Sequence, residues 1–268
     1  REREKISEPA SVESVRKDVK AAAGPSRPTV RNEENQMVKR RSVGKTSKSK
    51  AAGGVIIDLH AHTSPASPCS SANVDALIEA AKNIGLGGLC LTDHNYVWDA
   101  RWVDELRQKH EFLVLRGNEI TTDQGDMVVF GLEKDIKGII KLDELREEVV
   151  TAGGFMIVAH PFRGFLIFDM GQFGLTPEKA MERPLFKMVD AVEVLNGKVT
   201  EKENGFASEV AAGLGLPVTG GSDAHEVDEV GVYATQFADV IENEEDLIKA
   251  LKRGNYSPVA YRKGMALC

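Results

Sequence analysis

The amino-acid sequence predicts an α/β fold in which short apolar strands alternate with amphipathic helices. The 268 residues are enough for one large domain or two small ones, and 42% of them are hydrophobic, an ordinary share for a globular protein. Apolar runs of strand length recur along the chain and are separated by helical patterns of about 10–15 residues. This alternation predicts βα units and a mostly parallel sheet, either an open doubly wound sheet or a closed barrel.

The order of elements follows from these runs and from their capping residues. The predicted strands are residues 55–59, 88–91, 112–115, 127–132, 155–159, 191–195 and 217–220. The predicted helices are residues 74–84, 98–109, 142–152, 202–214 and 244–253. We expect Asn73 to cap the first helix and Gly85 to end it, because an Asn side chain accepts from free N–H groups and glycine adopts the left-handed turn after many helices.

Residues 1–52 differ in composition from the remainder of the chain. They hold 14 of the 34 Lys and Arg but 7 of the 41 Asp and Glu, so they carry a net charge of +7 and the remainder carries −14. The segment has few large apolar residues to offset chain entropy, so we expect a disordered basic tail, followed by a folded domain over residues 53–268. The basic cluster at residues 39–50 could make a weak nucleic-acid contact, although a solvated tail is the favoured interpretation.

Composition also excludes several classes of protein. No apolar run reaches 18 residues, so we expect no membrane span. The cysteines Cys69, Cys90 and Cys268 are scattered and form no CxxC pair, which argues against a disulfide framework. The acidic body argues against a broad nucleic-acid-binding face. We therefore expect a cytoplasmic protein in a reducing compartment.

Histidine and carboxylate residues follow five of the predicted strands at the point where each strand ends. They are His60 with His62, Asp93 with His94, Glu119, His160, and Asp223 with His225. The C-terminal strand ends lie together in both candidate folds, so we expect these side chains to converge. A lone histidine is more often a surface or core residue, as we expect for His110, but this repeated pattern predicts a metal site.

The donor types indicate which metals such a site would hold. Histidine with carboxylate and no clustered thiolate suits Zn, Mn or Fe. The donors exceed one coordination shell with room for substrate, so we expect two or three divalent ions. Glu119 is the natural bridging carboxylate, because it is a single anion between two histidine groups. Ions arranged in this way can activate water to hydrolyse a phosphate ester.

These residues resemble the motifs of the PHP family, the polymerase and histidinol phosphatase domain. The resemblance spans residues 55–262 and implies a distorted (βα)7 barrel with the metal site at its C-terminal rim. It implies a metal-dependent phosphoesterase that acts on a small phosphorylated substrate, such as a nucleoside 3′,5′-bisphosphate or a short oligonucleotide, with histidinol phosphate as a weaker alternative. The matching motifs are Asp58-Leu59-His60-Ala61-His62-Thr63, Thr92-Asp93-His94-Asn95, Gly117-Asn118-Glu119, Ala159-His160-Pro161 and Gly221-Ser222-Asp223-Ala224-His225.

The resemblance also implies a role for each residue of the site. The first ion would be held by His60, His62, Glu119 and Asp223, the second by Glu119 and His160, and the third by His94 and His225. Asp93 would orient these ligands or bind an ion itself. We expect Asp93, His94 and Glu119 to take part in catalysis.

Three further positions bear on the site. Asp126 stands where many family members have a histidine ligand, and its carboxylate could replace that histidine or could cap a turn beside Gly125. Cys69 lies near the position at which members complete the third ion, but a small loop residue is the favoured interpretation, so a two-metal site is also consistent. Arg163 is a candidate phosphate clamp, because a guanidinium group matches phosphate oxygens bidentately, with a surface arginine as the alternative.

Two other functions stay open. A metal-dependent amidohydrolase would use the same activated water on an amide bond. A regulatory or binding module with a degenerate site is the alternative that the departures at Asp126 and around Cys69 motivate. Metal content and substrate screening distinguish these functions from phosphate-ester hydrolysis.

Overall fold

Strands and helices alternate along the part of the chain that the computed structural model describes, which is residues 54–165, 174 and 176–262. The predicted tail of residues 1–52 lies outside these ranges. The strands are β1 (Val55–Asp58), β2 (Gly88–Leu91), β3 (Val114–Arg116), β4 (Asn118–Thr122), β5 (Gly125–Phe130), β6 (Phe155–Val158), β7 (Ala191–Asn196), β8 (Val218–Gly221), β9 (Ala234–Phe237) and β10 (Tyr256–Val259). The α-helices are α1 (Val74–Asn83), α2 (Ala100–His110), α3 (Leu142–Thr151), α4 (Pro177–Met181), α5 (Glu201–Leu214) and α6 (Glu244–Arg253).

The helix boundaries follow from local capping chemistry. The Asn73 side chain accepts hydrogen bonds from the backbone N–H groups of Asp75 and Ala76, at 3.0 and 3.2 Å, so it satisfies free donors at the start of α1. Gly85 follows α1 with a φ of 85°, a left-handed conformation that costs glycine little. Both expectations for α1 are therefore confirmed.

The strands form two mixed five-stranded sheets. Their orders are β10-β9-β1-β2-β3 and β4-β5-β6-β7-β8. The β1-β2-β3 and β6-β7-β8 pairings are parallel, whereas β9 pairs antiparallel with β1 and β10, and β5 pairs antiparallel with β4 and β6. The α/β class is confirmed, but the expected mostly parallel arrangement is wrong, and the described strands do not close into a single (βα)7 barrel.

The antiparallel pairs have a physical cause in the length of their connections. Thr122 pairs with Gly125, so only two residues join β4 to β5. A connection of two residues can join only antiparallel neighbours, because a parallel crossover needs a dozen residues or more. Glu119, which we expected in a loop after a strand, therefore lies inside β4 itself.

The two sheets approach each other at the ends of their parallel strands. Short parallel bridges join His94 to Glu119 and Ala61 to Ala224. The backbone N–H of Asp223 donates to the carbonyl oxygen of His60 at 2.8 Å. These backbone contacts bring the histidine and carboxylate motifs of both sheets to one place.

A buried apolar cluster supports this arrangement. Ile57 of β1, Phe130 of β5, Ile157 of β6 and Phe237 of β9 belong to one cluster with the apolar face of α6. The cluster includes strands of both sheets, so its burial holds them against each other. Among the described residues, no helix combines the length and the apolar character that a membrane crossing requires.

Candidate metal centre

Histidine and carboxylate side chains from both sheets converge where β1, β2, β6 and β8 end. Each of the eight predicted metal ligands belongs to a group whose potential ligand atoms lie within 4.8 Å of one another. The groups are His60, His62 and Glu119; His60, His160 and Asp223; Glu119, Asp126 and His160; and His62, His94 and His225. The structure therefore brings together the residues that the sequence pattern selected, including Asp126.

A buried carboxylate behind His60 fixes the orientation of its imidazole ring. The Nδ1 atom of His60 lies 3.0 Å from Oε1 of Glu193, on β7, and both residues are buried. A carboxylate is an acceptor, so Nδ1 carries the ring proton and Nε2 presents a lone pair to the centre of the site. A carboxylate behind a histidine in this way is the usual support of a metal-binding imidazole.

A hydroxyl group orients His62 in a comparable manner. The Ser67 hydroxyl donates its proton to Oδ1 of Asp93 at 2.6 Å, so it can only accept from Nδ1 of His62, which lies 3.3 Å away. The Nε2 atom of His62 therefore also presents a lone pair to the centre. The two Nε2 atoms of His60 and His62 lie 3.1 Å apart.

Two carboxylate oxygens complete this cluster of acceptors. Oε2 of Glu119 and Oδ1 of Asp223 are buried, and each lies 3.2 Å from Nε2 of His62. Ligand bonds of about 2.0–2.2 Å to zinc place neighbouring ligand atoms about 3 Å apart. Acceptors at this separation repel one another unless a cation lies between them, so the donor set fits a bound metal ion.

The electrostatics of the site also favour positive charge. Burial opposes the charged form of His60, but the nearby carboxylates of Glu193, Asp223 and Glu119 outweigh it and raise the pKa of His60 well above its usual value. Burial alone would raise the pKa of Glu119, but the charge of His60 and hydrogen bonds from His160 hold this pKa well below the ordinary range. The pocket therefore stabilises a positive charge, which either a proton or a metal ion can supply.

The backbone is strained at several strand ends around the site. His160, Asp223 and Asn95 adopt left-handed conformations, with φ values of 29°, 53° and 55°. Such conformations cost a non-glycine residue on the order of 1–3 kcal/mol and persist where the surrounding structure enforces them. The fold therefore holds two candidate ligands in conformations that the chain alone would avoid.

Comparison with known proteins identifies the family. A family model described as PHP-associated matches residues 201–256. The protein MJ0417 of Methanocaldococcus jannaschii, which is described as uncharacterised, is 30% identical over 196 residues, covering 71% of this chain and 74% of that protein. The chain belongs to the PHP family. A second uncharacterised protein of the same organism, MJ1587, is 27% identical over 141 residues, covering 47% of this chain and 82% of its own length.

Solved structures share the fold of this PHP protein at lower identity. PsfC from Pseudomonas syringae has a TM-score of 0.54 and 19% identity, covering 77% of this chain and 91% of PsfC. A Bifidobacterium adolescentis protein, named for an inferred metal-dependent phosphoesterase activity, has a TM-score of 0.54 and 17% identity, covering 74% and 96%. An amidohydrolase from Chromobacterium violaceum, solved with sulfate and no metal, has a TM-score of 0.50 and 15% identity, covering 78% and 99%. These likenesses establish a common fold.

Asp93 of the PHP motif orients the site and is not among the grouped ligands. Its Oδ1 accepts from the Thr63 N–H and the Ser67 hydroxyl, and its Oδ2 accepts from the Thr63 hydroxyl and the Trp98 indole, all at 2.6 to 2.7 Å. Both oxygens are thus occupied by short hydrogen bonds. Of the three roles expected for Asp93, these hydrogen bonds favour orientation of the His62 loop over ligation or direct catalysis.

The two departures from the PHP pattern differ in their surroundings. Asp126, on β5, lies with Glu119 and His160 in one ligand group, which is where a second ion would need it. Cys69 is exposed and belongs to none of the four groups found among the described residues. Burial of part of its side chain raises the pKa of the Cys69 thiol, which disfavours the thiolate that a metal would bind.

Arg163 lies on the wall of an open cleft beside this PHP site. The cleft has a volume of about 340 Å³ and is also lined by Cys69, Ser71, Lys198, His225 and Glu226. The Arg163 side chain is 49% exposed and its Nη1 lies 3.4 Å from Oδ2 of Asp223. The Lys198 ammonium pairs with Glu229. Arg163 and Lys198 therefore lie on the wall of a cleft that reaches the ligand candidate His225.

The residues that support the ligands were not predicted from the sequence. Glu193 lies in the middle of the apolar strand β7, and a charged residue in a buried strand was the signal that could have revealed it. Ser67 and Trp98 have no comparable signal, because they act through contacts made only in the fold. His110 lies elsewhere, with its ring nitrogens 2.6 and 2.7 Å from carboxylates of Glu79 and Asp75.

Proposed function

We propose that this PHP protein is a metal-dependent phosphoesterase that uses two or three divalent ions of Mn, Zn or Fe. Family membership and the donor set support a metal-dependent hydrolase. The observation that carries the proposal is the pair of buried carboxylate oxygens, on Glu119 and Asp223, that each lie 3.2 Å from Nε2 of His62.

Two positions have three or four candidate ligands each. His60, His62, Glu119 and Asp223 would hold the first ion, and Glu119, Asp126 and His160 would hold the second. When bound, the ions would activate a water molecule and neutralise charge on the phosphate oxygens. Glu119 can serve both positions, because its two carboxylate oxygens face different histidines, Oε1 towards His160 and Oε2 towards His62.

The cleft supports phosphate over a neutral substrate. Arg163 can offer two parallel N–H donors to phosphate oxygens, and Lys198, which pairs with Glu229, lies on the same wall. The volume of about 340 Å³ suits a small molecule rather than a folded macromolecule. We therefore propose a small phosphorylated substrate, nucleotide-like, that enters with its phosphate towards Arg163.

His94 is the best placed residue to exchange a proton with the substrate. Its side chain is 33% exposed, whereas the His60 and His62 side chains are fully buried. Its Nδ1 lies 2.9 Å from Oε2 of Glu119. As a general acid, His94 would donate a proton to the leaving oxygen of the ester.

The proposal is tested by reconstituting metal-free protein separately with Mn, Zn and Fe. The substrates are p-nitrophenyl phosphate, bis-p-nitrophenyl phosphate, adenosine 3′,5′-bisphosphate and a panel of dipeptides. We expect phosphate or nitrophenol release, loss of that activity in His60→Ala and Asp223→Asn, and retention in the matched control His110→Gln. Amine release from dipeptides without phosphate-ester hydrolysis would identify an amidohydrolase. Less than one equivalent of bound metal after growth in metal-supplemented medium would identify a degenerate site.

A further inference from the structure

The first turn of α5 contacts the loop that follows His160 through the carboxylate of Glu203. Thr200 caps this helix, and its backbone N–H and hydroxyl donate to Oε2 of Glu203 at 2.8 and 2.9 Å. The Glu203 N–H donates in return to the Thr200 hydroxyl oxygen at 3.2 Å. This reciprocal capping box uses only one oxygen of the Glu203 carboxylate.

The other oxygen of Glu203 binds the loop that carries Arg163. Oε1 accepts from the backbone N–H of Gly164 at 2.7 Å. Glu203 is buried, with 3% of its surface exposed, so this charged hydrogen bond is shielded from water. Gly164 has a φ of 78°, a left-handed conformation that costs glycine little.

Arg163 is therefore held between two fixed points. On one side its own N–H donates to the carbonyl oxygen of the ligand candidate His160 at 2.9 Å. On the other side Gly164 is bound by Glu203. A long, half-exposed guanidinium side chain has many rotamers, so the position of its backbone decides which part of the cleft it can reach.

We propose that Glu203 is a positioning residue that holds Arg163 at the cleft for the phosphate group of the substrate. Glu203 acts through the Gly164 N–H and does not contact the substrate. The inference rests on the proposed function in one respect, the role of Arg163 in binding phosphate. The same carboxylate that caps α5 thus links the PHP-associated segment to the loop that follows His160.

A purely structural role for Glu203 as a helix cap makes different predictions. Thr200→Ala removes the cap but leaves the bond between Glu203 and Gly164, so it is the matched control. Glu203→Ala removes both the capping box and the hydrogen bond to Gly164. Glu203→Gln keeps the volume and one acceptor oxygen, and it replaces the alanine variant if that variant does not fold.

The experiment has one arm without ligand and one arm with inorganic phosphate. In the first, hydrogen exchange of the Gly164 amide is measured on metal-free protein, and we expect faster exchange in Glu203→Ala than in Thr200→Ala. In the second, the Kd of metal-loaded protein for inorganic phosphate is measured. We expect it to rise about tenfold in Glu203→Ala and in Arg163→Ala, as for loss of one charge-assisted contact, and to stay near wild type in Thr200→Ala.

The double variant Arg163→Ala/Glu203→Ala decides how Glu203 acts. If Glu203 works through Arg163, the double variant binds phosphate no more weakly than Arg163→Ala. Additive losses, or equal effects of Thr200→Ala and Glu203→Ala on phosphate binding, would overturn the proposal. Unchanged Gly164 exchange in Glu203→Ala would overturn it as well, whether or not the wild type hydrolyses phosphate esters. Failure of the proposed function is seen separately, as absence of turnover in the wild-type protein.

Discussion

Replacing Glu193 by glutamine perturbs the buried support behind the first candidate ion. The carboxylate accepts from His60 Nδ1 at 3.0 Å through one oxygen, and from the His160 N–H at 3.1 Å and the Asn196 side chain at 2.9 Å through the other. Glutamine has nearly the same volume but only one acceptor oxygen. If that oxygen keeps the two bonds to His160 and Asn196, the new NH2 group faces the Nδ1–H of His60, donor against donor.

The expected magnitude follows from this lost hydrogen bond. A hydrogen bond to a charged group contributes about 1.5–3 kcal/mol. His60 can relieve the clash only by moving its proton to Nε2, which removes the lone pair that a metal needs. With about 1.4 kcal/mol per tenfold, affinity for the first ion should fall about 10–100-fold, the range found for other groups that support metal-binding histidines.

The assay is competition for Zn or Mn against a chromogenic chelator, with thermal unfolding measured in parallel. The control is Asp190→Asn, because Asp190 lies just before β7 and accepts from Arg146 at 2.8 and 2.9 Å and from the Met156 N–H at 2.9 Å, away from the ligand groups. The control should lower stability without changing metal affinity. Wild-type metal affinity in a folded Glu193→Gln protein would refute the assignment of Glu193 as the support of His60.

Three further variants examine other parts of the site. Asp126→Ala should weaken the second equivalent of metal about tenfold or more while the first is retained, as seen in a stoichiometric titration, because it removes one member of the second ligand group. Gly221→Ala should cost about 1–3 kcal/mol in the free energy of denaturant unfolding, because the new Cβ would lie 2.5 Å from Cβ of His60. Trp98→Phe should cost about 1–3 kcal/mol in the same assay, because it removes the 2.7 Å hydrogen bond to buried Asp93.

Each of these variants has an outcome that would contradict the structure. If Asp126→Ala still binds two equivalents of metal with unchanged affinity, Asp126 is not a metal ligand and its role is to cap the turn beside Gly125. Wild-type stability of Gly221→Ala would mean that β8 can move away from His60, contrary to the close packing of the two strands. A Trp98→Phe protein as stable as the wild type would mean that the indole does not support Asp93.

Where local signals are strong, the sequence predicts the fold closely. The predicted bounds of β2 and α6 agree with the structure, and α1 differs by one residue at its end. The Asn243 side chain accepts from the Asp246 N–H at 3.0 Å and Gly254 adopts a φ of 75°, so both ends of α6 are marked by residues with the expected chemistry. Local capping is readable because each cap involves residues only three or four positions apart.

Strand pairing was less predictable because its partners are remote. β9 and β10 were not predicted, and β9 pairs with β1, some 180 residues earlier. β4 was also missed, since its sequence, Asn118 to Thr122, carries four polar residues and lacks the apolar run of a buried strand. In the structure Glu119 faces the histidines and Asn118 the opposite side, so tertiary contacts rather than local propensity stabilise this strand.

In the candidate site too, the features that depend on local sequence were predictable and those that depend on remote contacts were not. The histidine candidates and Asp223 were predictable because they lie at strand ends, and the C-terminal strand ends meet whether or not the sheet closes, whereas Glu119 and Asp126 lie within β4 and β5. The supporting contacts required the fold, because Glu193 lies 133 positions from the imidazole that it orients and Ser67 mediates between Asp93 and His62.

The number of ions depends on how His62 is shared. His62 belongs both to the group with His60 and Glu119 and to the group with His94 and His225. Its Nδ1 is engaged with Ser67, so a single lone pair, on Nε2, is available to both groups. If Nε2 serves the first ion, a third ion keeps only two imidazoles among the described residues, and water or a substrate oxygen must complete its coordination. Because a position with two protein ligands binds metal more weakly than one with three or four, we expect two bound ions rather than three.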